Sequence, residues 1–316
     1  MTGAVSTRRW APPEPWGPHD LHRNLRVLQR GAYDPAQRAV GGAVWRATRT
    51  PCGPATLCVE PDAGAGKVVA RAWGPGAEWA LDGLPSLLGA DDDPSAFVPR
   101  HRLVALAHRR LPGLRLVRTG LVLESLIPSV LEQKVTTEEA YRAWRRLLRR
   151  YGEPAPGPAG TSSGPVPEPM RVMPEPRTWA LIPSWEWHRA GVDHKRSSTV
   201  LRAVARARRM EEAAGMDPAA AAARLTAIPG IGPWTAAETL QRVLGAADAV
   251  SVGDLHLPGQ VVYALTGERD GDDERMLELL APYAGQRHRA TRLILATGRT
   301  PPRRAPRFPR VDIARL

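Results

Sequence analysis

Leu225-Thr226-Ala227-Ile228-Pro229-Gly230-Ile231-Gly232-Pro233-Trp234-Thr235-Ala236 is the stretch from which the fold can be read. An alanine-rich helix, 218–227, is expected before it, with Asp217 as N-cap and Pro218 at the first helical position. Pro229 stops that helix, and a second is expected from about Pro233 to Leu244. Gly230 and Gly232 are read as positions where a side chain would block both the backbone conformation and the approach of a phosphate. Amide N–H groups at the start of the second helix then point at that phosphate. Ile231 tucks back between the two helices. Such contacts hold a nucleic-acid backbone without reading bases. An ordinary glycine turn between two helices also contains Gly-x-Gly. The longer string, with Leu225 three residues before Ile228 and Thr235-Ala236 after Trp234, is more specific.

Outward from this hairpin the pattern is helical from about residue 95. Leu121, Leu123, Ile127, Val130 and Leu131 line one buried face, and a further helix is expected over 137–150. Thr136-Thr137 can cap that helix, Glu138 and Glu139 suit its first turn, and Arg145, Arg146, Arg149 and Arg150 suit its end. Residues 196–212 read as one helix. Nearer the N-terminus, 44–48, 56–59 and 67–73 read as strands separated by Gly/Pro turns. Residues 1–20 are read as irregular, and 152–177, with eight prolines, as an extended loop outside the core. The arginine- and proline-rich tail, 299–316, is expected to be disordered. The fold class is therefore α+β. A mainly α-helical core, 99–298, carries the hairpin at 218–244, and an N-terminal subdomain, 1–98, carries a small antiparallel β-sheet.

The 316 residues are 43% hydrophobic and 24% charged, an ordinary globular composition. No run approaches the roughly 18 apolar residues of a membrane span, so no membrane partner is expected. Two cysteines, Cys52 and Cys58, are too few for a disulfide framework or a four-thiolate cluster. No metal site and no cofactor are expected. A cytoplasmic, nucleoid-associated monomer is the simplest setting. The net charge of +12 suits a polyanionic partner, although 41 arginines against three lysines also fit a GC-rich coding sequence.

Several segments together resemble a known family. Leu111-Pro112-Gly113-Leu114-Arg115-Leu116 is similar to the entry of its helical domain. Leu131-Glu132-Gln133-Lys134-Val135-Thr136 is similar to its DNA-facing loop. Met173-Pro174-Glu175-Pro176, Ala190-Gly191, Lys195-Arg196, the hairpin and Val252-Gly253-Asp254 complete the set over roughly residues 100–295. The family is that of the helix-hairpin-helix base-excision DNA glycosylases, and within it DNA-3-methyladenine glycosylase II.

The resemblance implies a monofunctional N-glycosylase in base excision repair. Such an enzyme flips alkylated purines out of double-stranded DNA, cuts the base from its sugar and leaves an abasic site. Asp254, twenty residues after Trp234, matches the catalytic carboxylate. An N3- or N7-alkylated purine is already cationic and leaves readily. One carboxylate can then stabilise the oxocarbenium-like sugar and orient water. Bifunctional members carry a lysine nucleophile where this chain has Trp234. Gly230, Ile231, Gly232, Thr235, Gln133 and Lys134 are implied DNA contacts, and Trp234, Tyr283 and Glu238 a base pocket. His256 is read as structural. Two positions depart from the family: Glu238 stands where an aromatic is usual, and Lys134 where the wedge is apolar. Two alternatives remain, a non-catalytic damage-binding protein of the same fold and a glycosylase for deaminated or oxidised purines.

Overall fold

The computed structural model describes residues 5–12, 19–62, 67–157 and 169–302. Five strands form one antiparallel sheet: β1 (Ser6–Trp10), β2 (Gln37–Val40), β3 (Ala43–Thr50), β4 (Gly53–Pro61) and β5 (Val68–Trp73), in the order β1-β5-β4-β3-β2. Val40 pairs with Ala43 across a two-residue turn in which Gly41 and Gly42 have φ of 59° and 84°. A tight hairpin turn of this kind favours glycine because both φ values are positive.

Both faces of the sheet are covered. Val44, Leu57, Val59, Ala70 and Ala72 pack on the helices Leu21–Leu25 and Ala77–Asp82. On the other face Trp45 stacks on Trp73 at 5.6 Å, beside Met170 and Val172. The apolar–polar alternation expected in β3 is present in chemistry but not in exposure. Arg46 and Thr48 are buried, because both donate to Glu124 on the helix Val122–Leu131. These bonds join the sheet to the helical part.

That helix is the centre of the larger core, with every residue but Glu124 buried. Its first two N–H groups, on Val122 and Leu123, donate to the Glu211 carboxylate at 2.8 and 2.9 Å. A side chain 89 residues away thus does the work of a local cap. Burial raises the Glu211 pKa above the usual range, against the pull of these two N–H groups. The next helix, Thr137–Tyr151, begins with the expected capping box: Thr136 accepts from the N–H of Glu139, and Glu139 accepts from that of Thr136. A second helical core joins Phe97, Val104 and Ala107 to Val261, Met276, Leu280 and Ile294.

Three local expectations need correction. Ser6–Trp10 is a strand, because β5 offers it a partner edge. Residues 196–212 hold two helices, His194–Val204 and Ala207–Glu211. The 152–177 segment is not wholly outside the core: Glu153–Pro154 pairs with Arg171–Val172, and Met170, Val172 and Met173 are buried. Its middle, 158–168, lies outside the described residues, as does 303–316 of the tail. Among the described residues no helix is long and apolar enough to cross a membrane.

Candidate active site

The hairpin helices are Pro218–Thr226 and Pro233–Val243. Asp217 caps the first, accepting from the N–H groups of Ala219 and Ala220 at 3.0 Å. Gly230 has φ of +98°, and a Cβ there would lie 2.1 Å from Thr199 Oγ1. Only glycine fits. Gly232 differs from expectation. Its φ is −95°, and a Cβ would meet nothing within 4 Å, so the fold itself does not require glycine there. Ile231 is buried in the main core, between the helices as expected.

Among the described residues the N–H groups of Gly230, Gly232, Trp234 and Thr235 have no partner. Donors gathered in this way at one helix start suit an anion chemically. Gln133 braces it from the neighbouring loop. Its side-chain amide donates to Gly230 O at 2.9 Å and Thr235 Oγ1 at 2.8 Å. Gln133 therefore sits beside the turn, but its amide is already engaged with it. Thr235 is buried. Lys134 next to Gln133 is exposed and has φ of 54°, the one non-glycine with positive φ among the described residues.

Trp234 and Asp254 are brought together. The indole N–H donates to Asp254 Oδ2 at 2.9 Å. Asp254 Oδ1 accepts from the backbone N–H groups of His256 and Leu257, each at 2.8 Å. The carboxylate thus also caps the helix Leu257–Thr266 and is held on both oxygens while still part-exposed. Gly253, with φ of +85°, sets the loop, and its N–H donates to Asp273 Oδ2 at 2.8 Å. His256 is exposed and contributes a backbone N–H rather than its ring.

Two pocket expectations are revised. Glu238 lies one turn after Trp234, but its carboxylate neither stands free toward a ligand nor faces open solvent. It pairs with Arg242 at 2.8 Å and accepts from the Ser251 hydroxyl. Tyr283 is a core residue. It is 3% exposed, its ring stacks on Phe97 at 5.6 Å, and its hydroxyl accepts from the N–H groups of Arg100 and His101. Packing leaves it no open face.

Sequence reasoning missed Arg242, Ser251 and Gln241. Gln241 donates to Ala249 O and Ser251 Oγ, both at 2.9 Å, tying the second hairpin helix to the loop that ends in Asp254. Arg242 also donates to Val27 O at 3.0 Å, reaching the N-terminal subdomain. Burial lowers its pKa, but the carboxylates of Glu238 and Glu132 outweigh that and raise it overall. The spacing of Glu238 and Arg242, four apart on one helix, was the available signal. Among the described residues no cluster of His, Cys, Asp or Glu is placed to hold a metal. A groove of about 860 Å³ lined by His22, Arg26, Tyr33 and Tyr141 contains none of these residues.

No protein-family model matches the chain. Over 177 residues, 54% of its length, it is 30% identical to the "probable bifunctional transcriptional activator/DNA repair enzyme AlkA" of Mycobacterium tuberculosis. The matched segment spans 34% of that relative's own length. Among solved structures, the 3-methyladenine DNA-glycosylase of Archaeoglobus fulgidus superposes with a TM-score of 0.71 at 17% identity, covering 91% of this chain and 97% of that one. An 8-oxoguanine glycosylase/lyase from Clostridium acetobutylicum, in complex with double-stranded DNA containing cytosine opposite 8-oxoguanine, gives 0.67 at 11% identity, covering 89% and 92%. A third, MBOgg1 with a low-affinity DNA ligand, gives 0.69 at 13%, covering 95% and 99%.

Proposed function

We propose, from the premise that this chain belongs to the helix-hairpin-helix base-excision DNA glycosylases, that it is a monofunctional N-glycosylase acting on alkylated purines in double-stranded DNA. The observation that carries this reading is the Trp234–Asp254 pair at the start of the second hairpin helix. One carboxylate, oriented through both oxygens, stands beside an anion-binding turn. DNA held at the turn by its phosphates presents a flipped nucleotide to Asp254. As the bond to the base breaks, positive charge develops on the sugar, and the fixed carboxylate stabilises it without reorganising. Water then adds to the sugar, and an abasic site remains. Trp234 holds the position of a lysine nucleophile and cannot form a Schiff base. The protein works as a monomer on chromosomal DNA in the cytoplasm.

Methylated duplex DNA tests the reading. Wild type is expected to release 3-methyladenine and leave alkali-labile abasic sites. Asp254→Asn should lose at least about a hundredfold of that rate, while still binding damaged DNA. Asparagine keeps a side-chain oxygen for the helix cap, so folding should survive. Equal rates for the two proteins would leave a DNA-binding protein without this chemistry. Borohydride is expected to trap no covalent adduct with the DNA; efficient trapping would reveal an amine nucleophile and refute the monofunctional assignment.

A further inference from the structure

The sheet ends in a strand with one open side. β2 lies at its edge, with β3 on one side and no strand on the other among the described residues. The register fixes which backbone groups are left over. Val40 and Ala43 flank the two-residue turn, and the N–H of Ala47 donates to Ala36 O at 2.7 Å. Residues 36, 38 and 40 therefore turn their N–H and C=O groups toward β3, and residues 37 and 39 turn theirs outward. Ala39 is exposed, and its N–H and C=O have no partner among the described residues. The groove of about 860 Å³ follows this edge. Gln37–Val40 lines it, facing His22 and Arg26, and Tyr33 and Tyr141 complete the wall. No aspartate or glutamate lines it. Arg26 and His22 are exposed, and neither has an ion pair among the described residues. Tyr33 is 69% exposed, and the Arg145 guanidinium lies 5.8 Å from the centre of its ring, which brings a further cation to the rim.

An open edge is a template for a further strand, and the charges beside it select which strand adds. Here they are of one sign. A second copy of this chain, paired edge to edge, would bring Arg26 and Arg145 against their own counterparts. The chain's own C-terminal segment, 299–316, carries six arginines and one aspartate, so the same cations repel it. A nucleic-acid strand suits the cations, but its phosphates only accept hydrogen bonds and would face the outward C=O of Ala39 with like partial charge. An extended acidic peptide satisfies the N–H, the C=O and the cations together.

We propose that β2 and this groove are the docking site for an acidic, extended segment of a partner protein, which adds to the sheet as a further strand. Backbone bonds to Ala39 set its register. Its carboxylates meet Arg26 and the cations beside it, and an apolar side chain packs on Tyr33. The groove contains none of the residues placed around Asp254, so the partner is held without occupying the catalytic site. The inference stands independently of the chemistry at Asp254.

The test is fluorescence anisotropy of a labelled peptide of alternating glutamate and valine on the full-length protein. Wild type is expected to bind it about tenfold more tightly than the same peptide with its backbone nitrogens methylated, which has the same charge and cannot donate to a strand. Ala39→Pro removes the outward N–H and no bond to β3, and should weaken binding about fivefold or more. Arg26→Glu should weaken it about tenfold, whereas Arg109→Glu, an equal change of charge on the exposed side of the helix Arg102–Arg110, should leave it within about twofold. The two glutamate variants keep the test decisive if the proline variant fails to fold. No binding by wild type overturns the proposal. So does equal binding of the methylated and unmethylated peptides, or equal loss in Arg26→Glu and Arg109→Glu, since either result reduces the effect to net charge. A single-stranded oligothymidylate that displaces the peptide and is itself weakened by Arg26→Glu would make the groove a nucleic-acid site and overturn it as well.

Discussion

Among the described residues Asp254 receives three hydrogen bonds, and only one comes from a side chain, the Trp234 indole. The two backbone bonds fix where the carboxylate sits. The indole bond fixes which oxygen faces the hairpin. Trp234→Phe removes that bond and keeps an aromatic face for stacking. The expected result is a fall of about five- to tenfold in the base-release rate with damaged-DNA affinity little changed, as the loss of one hydrogen bond to a part-exposed carboxylate predicts. Single-turnover kinetics beside equilibrium binding separate the two; an unchanged rate would show that the indole does not position Asp254. The family resemblance singled out the aspartate and the tryptophan, but their bond was not legible in the sequence. Spacing places residues along the chain and says nothing of which rotamers meet. Tyr283 shows the same gap: an aromatic at a plausible position reads as a pocket wall until Phe97, distant in sequence, is found stacked on it.

At the scale of the hairpin, two glycines that look equivalent in sequence have different physical reasons. Gly230 combines positive φ with a position where an added Cβ would clash with the Thr199 side chain, so Gly230→Ala should cost about 2 kcal/mol or more. Gly232 has ordinary extended backbone and open space. Gly232→Ala should leave stability within about 0.5 kcal/mol of wild type and instead weaken DNA binding, because its methyl group stands beside unpartnered N–H donors. Urea unfolding with fluorescence anisotropy on duplex DNA checks both halves. Equal destabilisation by the two substitutions would contradict the distinction. Helix ends tell a parallel story. The caps at Thr136 and Asp217 were readable because cap and helix are neighbours in sequence. The cap on the central helix was not, because Glu211 arrives from a different part of the chain.

At the scale of the whole molecule, the sheet and the helical cores are joined by charge as well as by packing. Glu124 gathers Arg46, Thr48 and the Arg49 N–H, while Arg242 reaches Val27. The buried, neutral His288 lies on the helix that runs past this junction, and its titration is visible in global stability. Its folded-state pKa is depressed, so the unfolded chain binds the proton first. The stability it permits is present above about pH 6.5 and is lost as pH falls from there toward the folded value, at up to roughly 1.4 kcal/mol per pH unit. His288→Gln should flatten the fall in melting temperature between pH 7 and 5. His19, His101 and His108, also lowered by burial, should leave a residual slope. An unaltered slope in the variant would mean that His288 protonates freely in the folded protein.

By itself the amino-acid sequence determined what local chemistry can encode: the hairpin, three of the five strands of the sheet, the caps at Asp217 and Thr136, the lysine-free start of the second hairpin helix and the aspartate twenty residues beyond it. Each depends on residues close together in the chain, where backbone preference and spacing act directly. Tertiary structure alone decided which of these groups are free to act. It buried Tyr283 against Phe97 and capped the central helix with Glu211. The reason is physical: a charge or a ring acquires its role from what surrounds it in space. For these residues the surroundings come from segments tens to hundreds of positions away.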